Sequence, residues 1–299
     1  MLGRRNFLAL AGLAAGATMT GAWAAGGKTT SKSFGSKAFV NKMARLEADA
    51  GARLGVSIVD TGSGQAWGYR ADERFPMCST FKFLAAAAVL KRVDRGEERL
   101  ERRIVYGKEI LQEYSPTTSK HIGGDGMSIS QLCEAAMTLS DNTAANLMLE
   151  TMGGPAGLTA FIRTLGDGET RLDRNEPTLN ESIPGDPRDT TTPAAMTADL
   201  RRIVLGDALN PASRMLITDW LVRNKTGDKR VRAGLPASWK VGDKTGTGDQ
   251  GSTNTVGVIW PPTGAPLLFA VYLTETRASD TVRNGVHAAV GKLIAQEIV

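Results

Sequence analysis

The apolar residues of the chain recur at helical spacing in its middle and in strand-like runs toward both ends. Phe39, Met43 and Leu46 fall on one side of the segment 37–48, which predicts an amphipathic helix. Two apolar runs separated by a Gly-containing turn then predict a β-hairpin. The strands of this hairpin, three strands predicted near the C-terminus and a final helix lie at 54–60, 66–69, 239–244, 254–260, 267–274 and 281–298.

From residue 79 to about residue 224, the spacing predicts helices and one long interruption. The predicted helices lie at 79–95, 128–139, 143–152, 155–165, 193–205 and 211–222. Two of them begin with an N-cap residue followed by proline at the first helical position, Thr192-Pro193 and Asn210-Pro211. The interruption at 166–191 holds many charged residues and three prolines. Structureless segments of this length tend to be functional, with a solvated surface loop as the alternative.

Strands at both ends with helices between them predict an α/β protein of two domains. The terminal segments, 25–75 and 225–299, would form a mostly antiparallel sheet covered by the first and last helices. An inserted all-α domain would occupy 76–224 and include the loop 166–191. A cleft between two such domains is a common place for a small-molecule site.

The first 24 residues have the features of an export signal. Arg4 and Arg5 precede an apolar, Gly- and Ala-rich stretch and the small-residue cleavage site Ala22-Trp23-Ala24. The paired arginines resemble a twin-arginine signal, with an ordinary secretory signal as the alternative. The sequence therefore predicts export to the periplasm, and no later apolar run is long enough to span a bilayer.

Net charge and cysteine content limit the kinds of molecule that this protein is expected to bind. The 299-residue chain has a formal net charge of +5, and cleavage after Ala24 removes two arginines, which leaves +3 on 275 residues. Because the basic residues are scattered, nucleic acid is not expected as a partner, whereas an anionic small molecule is compatible. Cys78 and Cys133 could pair after export, but their apolar contexts favour free, buried thiols. No metal site is predicted, because the cysteines and histidines lack ligand spacing.

The first candidate for chemistry is Ser79-Thr80-Phe81-Lys82. At a helix start, this spacing puts the Ser79 hydroxyl and the Lys82 amine on one face. A serine needs a base to become a nucleophile, and a desolvated lysine can assist because its pKa is lowered. His121 and His287 lack the surroundings of a Ser-His-Asp arrangement, which favours lysine as the base. By itself, Ser-x-x-Lys also arises by chance at a capped helix.

Four further patterns accompany this pair. Ser140-Asp141-Asn142 lies at a helix junction, and Lys244-Thr245-Gly246 lies late on a predicted strand, where glycine lets a ligand approach the backbone. Glu176 and Asn180, four residues apart in the long loop, could hold one water between them. Tyr114 could form an aromatic rim. Each pattern alone also fits an ordinary cap, strand edge or solvated loop.

Taken in this order and at these separations, the patterns resemble those of class A serine β-lactamases over essentially the whole mature chain. The resemblance implies the β-lactamase/transpeptidase-like fold and hydrolysis of penicillins and cephalosporins through a serine acyl-enzyme, which confers antibiotic resistance. It also implies a β-lactam as the small-molecule partner, no cofactor and no membrane anchor after signal cleavage. A monomer is expected.

The resemblance also implies roles for the catalytic residues. Ser79 would be the acylated nucleophile, and Lys82 its hydrogen-bonded partner in proton transfer. Ser140 would deliver a proton to the β-lactam nitrogen. Glu176 and Asn180 would orient the hydrolytic water, with Glu176 as the base for deacylation. Either Lys82 or Glu176 could take the first proton, and the sequence leaves that choice open.

The resemblance implies roles for the substrate-binding residues as well. Main-chain N–H groups of Ser79 and Thr247 would form the oxyanion hole. Asn142 would bind the side-chain amide of the substrate, and Tyr114 would line the rim. The ring carboxylate of the substrate would be bound at the end of the predicted strand 239–244, by Lys244, Thr245, Gly246 and Thr247. A second cation is expected from Arg230, with Arg283 as the rival.

Three structural details are also implied by the resemblance. The Glu176-Pro177 bond is expected to be cis, and Arg174 is expected to pair with Asp189 across the neck of the loop. In relatives specialised for carbapenems, a cysteine before the nucleophile is bridged to the position occupied here by Gly248. Because Cys78 lacks that partner, weak carbapenem hydrolysis is expected.

Two other functions stay open at this point. A penicillin-binding D,D-peptidase shares the serine, the lysine and the Lys-Thr-Gly strand, but it lacks a deacylating glutamate in such a loop. A β-lactam sensor domain stays acylated and is tethered to a transmembrane segment. Glu176-x-x-x-Asn180 argues against the peptidase, and the cleavable signal argues against the sensor.

Overall fold

The computed structural model describes residues 36–298, and the predicted export signal lies outside these residues. The helices are α1 Ser36–Ala50, α2 Phe81–Asp94, α3 Ile129–Thr138, α4 Asn142–Glu150, α5 Gly154–Thr164, α6 Pro193–Leu200, α7 Pro211–Val222 and α8 Asp280–Leu293. The strands are β1 Arg53–Asp60, β2 Ala66–Tyr69, β3 Phe75–Pro76, β4 Arg103–Ile104, β5 Met127–Ser128, β6 Thr190–Thr191, β7 Lys240–Thr247, β8 Thr253–Trp260 and β9 Leu267–Thr274.

Five strands form one antiparallel sheet in the order β2-β1-β9-β8-β7. The middle strand, β9, is buried along its whole length. Its odd-numbered residues, such as Phe269 and Val271, belong to a core shared with α1 and α8, and its even-numbered residues, such as Ala270 and Tyr272, belong to a core shared with the other helices. Because successive side chains point to opposite faces, a strand covered on both sides is a continuous apolar run.

Helix α2 lies at the centre of the second core. Its residues from Phe81 to Leu90 are all buried, as expected for a helix that is apolar on every side. A 3₁₀ turn, Cys78–Thr80, precedes it. Ser79 was predicted to start the α-helix but lies in this turn, and the following α-helix carries Lys82 into the core.

The predicted N-caps are present. The Thr192 side chain accepts a hydrogen bond from the Ala195 N–H, and Asn210 accepts one from Ser213. Helices α6 and α8 end earlier than predicted because wider π-helical turns, Arg201–Leu205 and Ile294–Ile298, continue them. Apolar spacing does not distinguish such a turn from an α-helix, since both keep one side of the segment on the core.

The segment 166–191 is a loop, as predicted, and contains one 3₁₀ turn, Thr178–Asn180. Its Glu176-Pro177 bond is cis, and Arg174 Nε lies 2.6 Å from Asp189 Oδ2, so both expected details are confirmed. The loop ends in β6, which pairs with β3, while β4 pairs with β5. These two-residue ladders were not predicted because they are shorter than any periodic pattern.

Cys78 and Cys133 are free and buried, which confirms that prediction. Burial raises the pKa of the Cys78 thiol to about 12. Within residues 36–298, no helix is both long and apolar enough to cross a membrane. The same residues contain no group of three or more His, Cys, Asp or Glu side chains that could hold a metal ion.

Candidate active site

The predicted site residues meet around one cavity of about 360 Å³. It is lined by Ser79, Tyr114, Ser140, Asn142, Asn180, Thr226, Arg230, Thr245, Gly246 and Thr247. Nine of these ten residues were predicted from the sequence, and Thr226 was not. The other three predicted residues, Lys82, Glu176 and Lys244, are buried immediately behind this lining and contact it through hydrogen bonds.

Lys82 connects three other residues in the buried part of the site. Its ammonium nitrogen lies 2.8 Å from the Ser140 carbonyl oxygen, 2.6 Å from Asn142 Oδ1 and 2.9 Å from Glu176 Oε1. Ser140 Oγ lies further away, at 3.4 Å. An ammonium has only three N–H donors, so the three nearer partners can use all of them. The side chains of Lys82 and Glu176 are fully buried, and burial lowers the pKa of the Lys82 ammonium despite the nearby carboxylate.

Ser79 pairs differently from the expectation. Its hydroxyl donates to Glu176 Oε1 at 3.3 Å. Within the described residues its hydrogen bond is therefore to Glu176 rather than to Lys82, which corrects the expected direct Ser79–Lys82 pair. The physical reason is that the donors of Lys82 are taken by Glu176 and by the 140–142 junction. Glu176 Oε1 consequently connects the serine hydroxyl to the lysine.

Glu176 is held through both its carboxylate and its main chain. The Asn180 Nδ2 group donates to Glu176 Oε2. The Asn146 side chain accepts the Glu176 N–H at 2.9 Å and donates to its carbonyl at 2.9 Å. Asn180 Oδ1 is buried and has no protein partner in the described part of the chain. Asn146 was missed by sequence reasoning, although an amide within the apolar α4 was a usable signal.

The junction between α3 and α4 aims Ser140 and Asn142 at the cavity. Ser140 has a left-handed backbone, with φ of 61°. Asp141 is buried and caps α4 by accepting the Ala144 N–H at 2.9 Å. The Asn142 N–H donates to the Tyr114 carbonyl at 3.0 Å, which places Tyr114 at the rim, with half of its surface exposed.

Two buried basic side chains, Lys244 and Arg230, contact the end of β7. Lys244 Nζ donates to Ser140 Oγ at 3.0 Å and to the Thr245 carbonyl at 2.7 Å. Burial, together with the charges of Lys82 and Arg230, holds the Lys244 pKa well below its usual value. Arg230 donates to Thr247 Oγ1 at 2.7 Å and to the Gly246 carbonyl at 2.8 Å. Burial lowers the pKa of Arg230 to about 10, so the guanidinium stays charged at neutral pH.

The rival cation, Arg283, is not part of the cavity lining and pairs with Asp280. Lys82, Lys244 and Arg230 surround the cavity, and Glu176 is the carboxylate among them. This arrangement favours an anionic ligand, with a nucleophile and a carboxylate base beside it.

Comparisons with known proteins agree with this geometry. The model of the β-lactamase enzyme family matches residues 38–298. The chain is 48% identical to β-lactamase CTX-M-8 of Citrobacter amalonaticus, over 85% of this chain and 87% of that protein. It is also 48% identical to a β-lactamase of Streptomyces albus G, over 86% of this chain and 83% of that protein.

Solved structures give the same result. An ancestral class A β-lactamase superposes with a TM-score of 0.84 and 64% identity, covering 86% of this chain and 98% of the other. The putative class A β-lactamase PenP from Rhodopseudomonas palustris superposes with a TM-score of 0.85 and 57% identity, with the same coverage of both chains.

The fold and the site together define an enzyme that hydrolyses β-lactams and so confers antibiotic resistance. The chain belongs to the class A β-lactamase family. The D,D-peptidase and sensor alternatives are not favoured.

Proposed function

We propose that this enzyme hydrolyses penicillins and cephalosporins through an acyl-enzyme formed on Ser79. The observation that carries the proposal is the position of Glu176. Its Oε1 lies 3.3 Å from Ser79 Oγ and 2.9 Å from Lys82 Nζ, while its Oε2 accepts a hydrogen bond from Asn180. One carboxylate is thus in contact with the nucleophile, a buried cation and a side chain suited to holding water.

In the acylation step, Ser79 Oγ attacks the β-lactam carbonyl carbon. The hydroxyl proton passes to the Lys82–Glu176 pair, which acts as one base because the two groups share a buried hydrogen bond. The ring C–N bond then breaks, and the nitrogen takes the proton of Ser140 Oγ. Lys82 lies 3.4 Å and Lys244 3.0 Å from that oxygen, so both lysines are in position to return a proton to it.

In the deacylation step, Glu176 takes a proton from a water that attacks the acyl carbonyl carbon. The bond from that carbon to Ser79 Oγ then breaks, and Glu176 returns the proton to Ser79 Oγ, which lies 3.3 Å away. The unpartnered, buried Asn180 Oδ1 supports this assignment, because a water bound between Asn180 and Glu176 would satisfy it. The oxyanion of both steps would be bound by the main-chain N–H groups of Ser79 and Thr247, where one such donor is worth about 3 kcal/mol.

The proposed substrate contacts follow from the lining. The ring carboxylate would lie against Lys244, Thr247 and Arg230, with Thr245 and Gly246 at the same strand end. Asn142 Oδ1 already accepts from Lys82, which leaves Nδ2 to donate to the side-chain carbonyl of the substrate. Tyr114 would cover that side chain at the rim.

Burst kinetics with a chromogenic cephalosporin test this mechanism. Sustained turnover by the wild-type enzyme, with none by Ser79→Ala, is the expected result. Release of one equivalent followed by no further turnover would instead fit a sensor or a peptidase. Sustained turnover by Ser79→Ala would overturn the serine mechanism.

We also propose that the chain is exported by the twin-arginine route, cleaved after Ala24 and active as a periplasmic monomer. The basic and apolar composition of its N-terminus supports this. We propose the division into domains at 25–75 with 225–299 and at 76–224, which is supported by the core around α1 and α8, because all its residues lie in the two terminal segments. Weak carbapenem hydrolysis is supported by Gly248, which lies against Cys78 and offers it no disulfide partner.

A further inference from the structure

Thr226 lines the cavity beside Thr245, and the mechanism above gives it no role. We propose that Thr226 is a positioning residue that turns the Thr245 hydroxyl proton away from the resting cavity, and that a bound substrate carboxylate reverses this direction. The second half of the proposal rests on the proposed carboxylate site. The first half concerns the resting enzyme alone.

Asp243 is a fully buried residue of β7. Its Oδ1 accepts from Arg232 Nη2 at 2.7 Å, from Arg232 Nε at 3.0 Å and from Asn224 Nδ2 at 2.8 Å. Burial raises the pKa of Asp243. Oδ1 is nevertheless an acceptor in either protonation state, because three N–H groups already point at it.

These contacts determine the orientation of the Asn224 amide. Its Nδ2 must face Asp243, since a flipped amide would place two oxygens against each other. Independently, the Thr226 N–H lies 3.0 Å from Asn224 Oδ1, and a backbone N–H requires an acceptor. Two separate neighbours thus require the same orientation, in which Asn224 Oδ1 faces Thr226.

The orientation of Asn224 determines the direction of the Thr226 and Thr245 hydroxyl protons. Thr226 Oγ1 lies 2.8 Å from Asn224 Oδ1, which can only accept, so the single hydroxyl proton of Thr226 is in that hydrogen bond. Thr226 Oγ1 also lies 2.5 Å from Thr245 Oγ1. The proton in this second hydrogen bond must therefore come from Thr245. In the resting enzyme, Thr245 presents lone pairs to the cavity, although a carboxylate needs a donor.

Substrate binding resolves this conflict by rotating two hydroxyl groups. Thr245 turns its proton to the carboxylate, and Thr226 turns its own proton to Thr245 Oγ1. Asn224 Oδ1 keeps the Thr226 N–H, and no covalent bond changes. The cost is the hydrogen bond from Thr226 to Asn224, so the Thr226 hydroxyl weakens carboxylate binding.

A kinetic experiment compares Thr226→Val, which keeps the shape and removes the hydroxyl, with Thr226→Ser, which keeps the proton. For benzylpenicillin, Thr226→Val should lower KM about two- to tenfold, the equivalent of one neutral hydrogen bond, with the effect confined to KM. Thr226→Ser should restore the wild-type KM. For the methyl ester of benzylpenicillin, which lacks the carboxylate charge, Thr226→Val should not change KM.

Thr218→Val is the matched control, because Thr218 also donates its hydroxyl to a nearby oxygen but does not line the cavity. It should change none of these values. A higher KM for benzylpenicillin in Thr226→Val, or an equal shift for the acid and the ester, would overturn the proposal. A merely structural hydroxyl would lower stability without separating the acid from the ester.

Neutron diffraction on the wild-type enzyme provides a test that does not depend on any variant folding. Deuterium on Thr245 should point to Thr226 in the resting enzyme. In Glu176→Gln acylated by benzylpenicillin, it should point to the ligand carboxylate. Deuterium directed into the empty cavity would overturn the proposal even in an active lactamase. Lack of sustained β-lactam turnover would overturn the proposed mechanism and leave the resting-state result standing.

Discussion

The neck of the 166–191 loop and the Glu176 turn within it use buried polar groups in opposite ways. At the neck, Asp189 is 1% exposed and accepts hydrogen bonds from the Asp173 N–H, the Arg174 N–H and Arg174 Nε, at 2.6 to 2.9 Å. At the turn, Asn180 Oδ1 is equally inaccessible and has no partner among residues 36–298. Saturated polar groups hold the loop closed, whereas the unsaturated one marks where a ligand belongs.

This comparison predicts that changes at the turn and the cavity reduce catalysis, and that changes at the neck reduce stability.

Replacing Lys82 by methionine should have the largest effect. The substitution keeps the length of the side chain and removes the cation that contacts Glu176 and the Ser140 segment. Loss of acid–base assistance should lower kcat/KM about 10²- to 10⁴-fold in steady-state assays. Lys91→Met is the control on the same helix, since Lys91 donates to the Ala208 carbonyl away from the cavity. Wild-type kinetics in Lys82→Met would remove Lys82 from the mechanism.

Arg230→Ala should lower kcat/KM about ten- to a hundredfold, because a hydrogen bond to a charged group is worth about 1.5 to 3 kcal/mol. The guanidinium both faces the cavity and donates to Thr247 Oγ1. Arg283→Ala tests the rival cation and should have little effect. A large loss in Arg283→Ala with a small one in Arg230→Ala would move the carboxylate anchor to Arg283.

Asp189→Asn should act on stability instead. The variant weakens at least one hydrogen bond to a charged group and should lower the free energy of unfolding by about 1.5 to 3 kcal/mol. For a domain of this size that corresponds to a melting temperature about 3 to 6 °C lower, measured by calorimetry. The acyl-enzyme should still be hydrolysed while the protein is folded. Unchanged stability with lost deacylation would erase the distinction between neck and turn.

A pH-dependent effect on stability is expected at the start of the loop. Asp199 on α6 is fully buried, and burial together with Asp167 raises its pKa to about 9 from 3.8. The folded state therefore binds one more proton than the unfolded state between about pH 4 and pH 9, so this group's contribution to stability falls as pH rises through that window. Asp199→Asn should flatten the decline in melting temperature across it. An unchanged pH profile would contradict the shifted pKa.

Much of the fold could be predicted because its local and global signals agree. β9 is buried on both faces and therefore appears as an uninterrupted apolar run, and the caps at Thr192 and Asn210 lie where the Pro-containing helix starts predicted them. The β3–β6 and β4–β5 ladders could not be predicted, because two-residue pairings leave no periodicity in the sequence.

In the active site, the contacts between residues could not be predicted from the sequence. Motif spacing identified the residues around Ser79, but not which of them contact each other, because Glu176 comes to Ser79 through the loop rather than through helical spacing. Asn146 and Thr226 belong to no motif and act by contacts made across the fold. Asn146 could have been noticed, because it is a polar residue in an apolar helix. Thr226, in a short polar turn, offered no such signal.

Intact-protein mass spectrometry of Glu176→Gln during reaction with benzylpenicillin tests the central claim, that Glu176 is the base for deacylation. A stable 1:1 adduct is expected, heavier than the protein by the full mass of the β-lactam, with almost no turnover. Glu181→Gln, the matched control on the exposed side of the loop, should show no lasting adduct and near wild-type turnover. Turnover of Glu176→Gln at the wild-type rate, without an adduct, would show that Glu176 is not the base for deacylation.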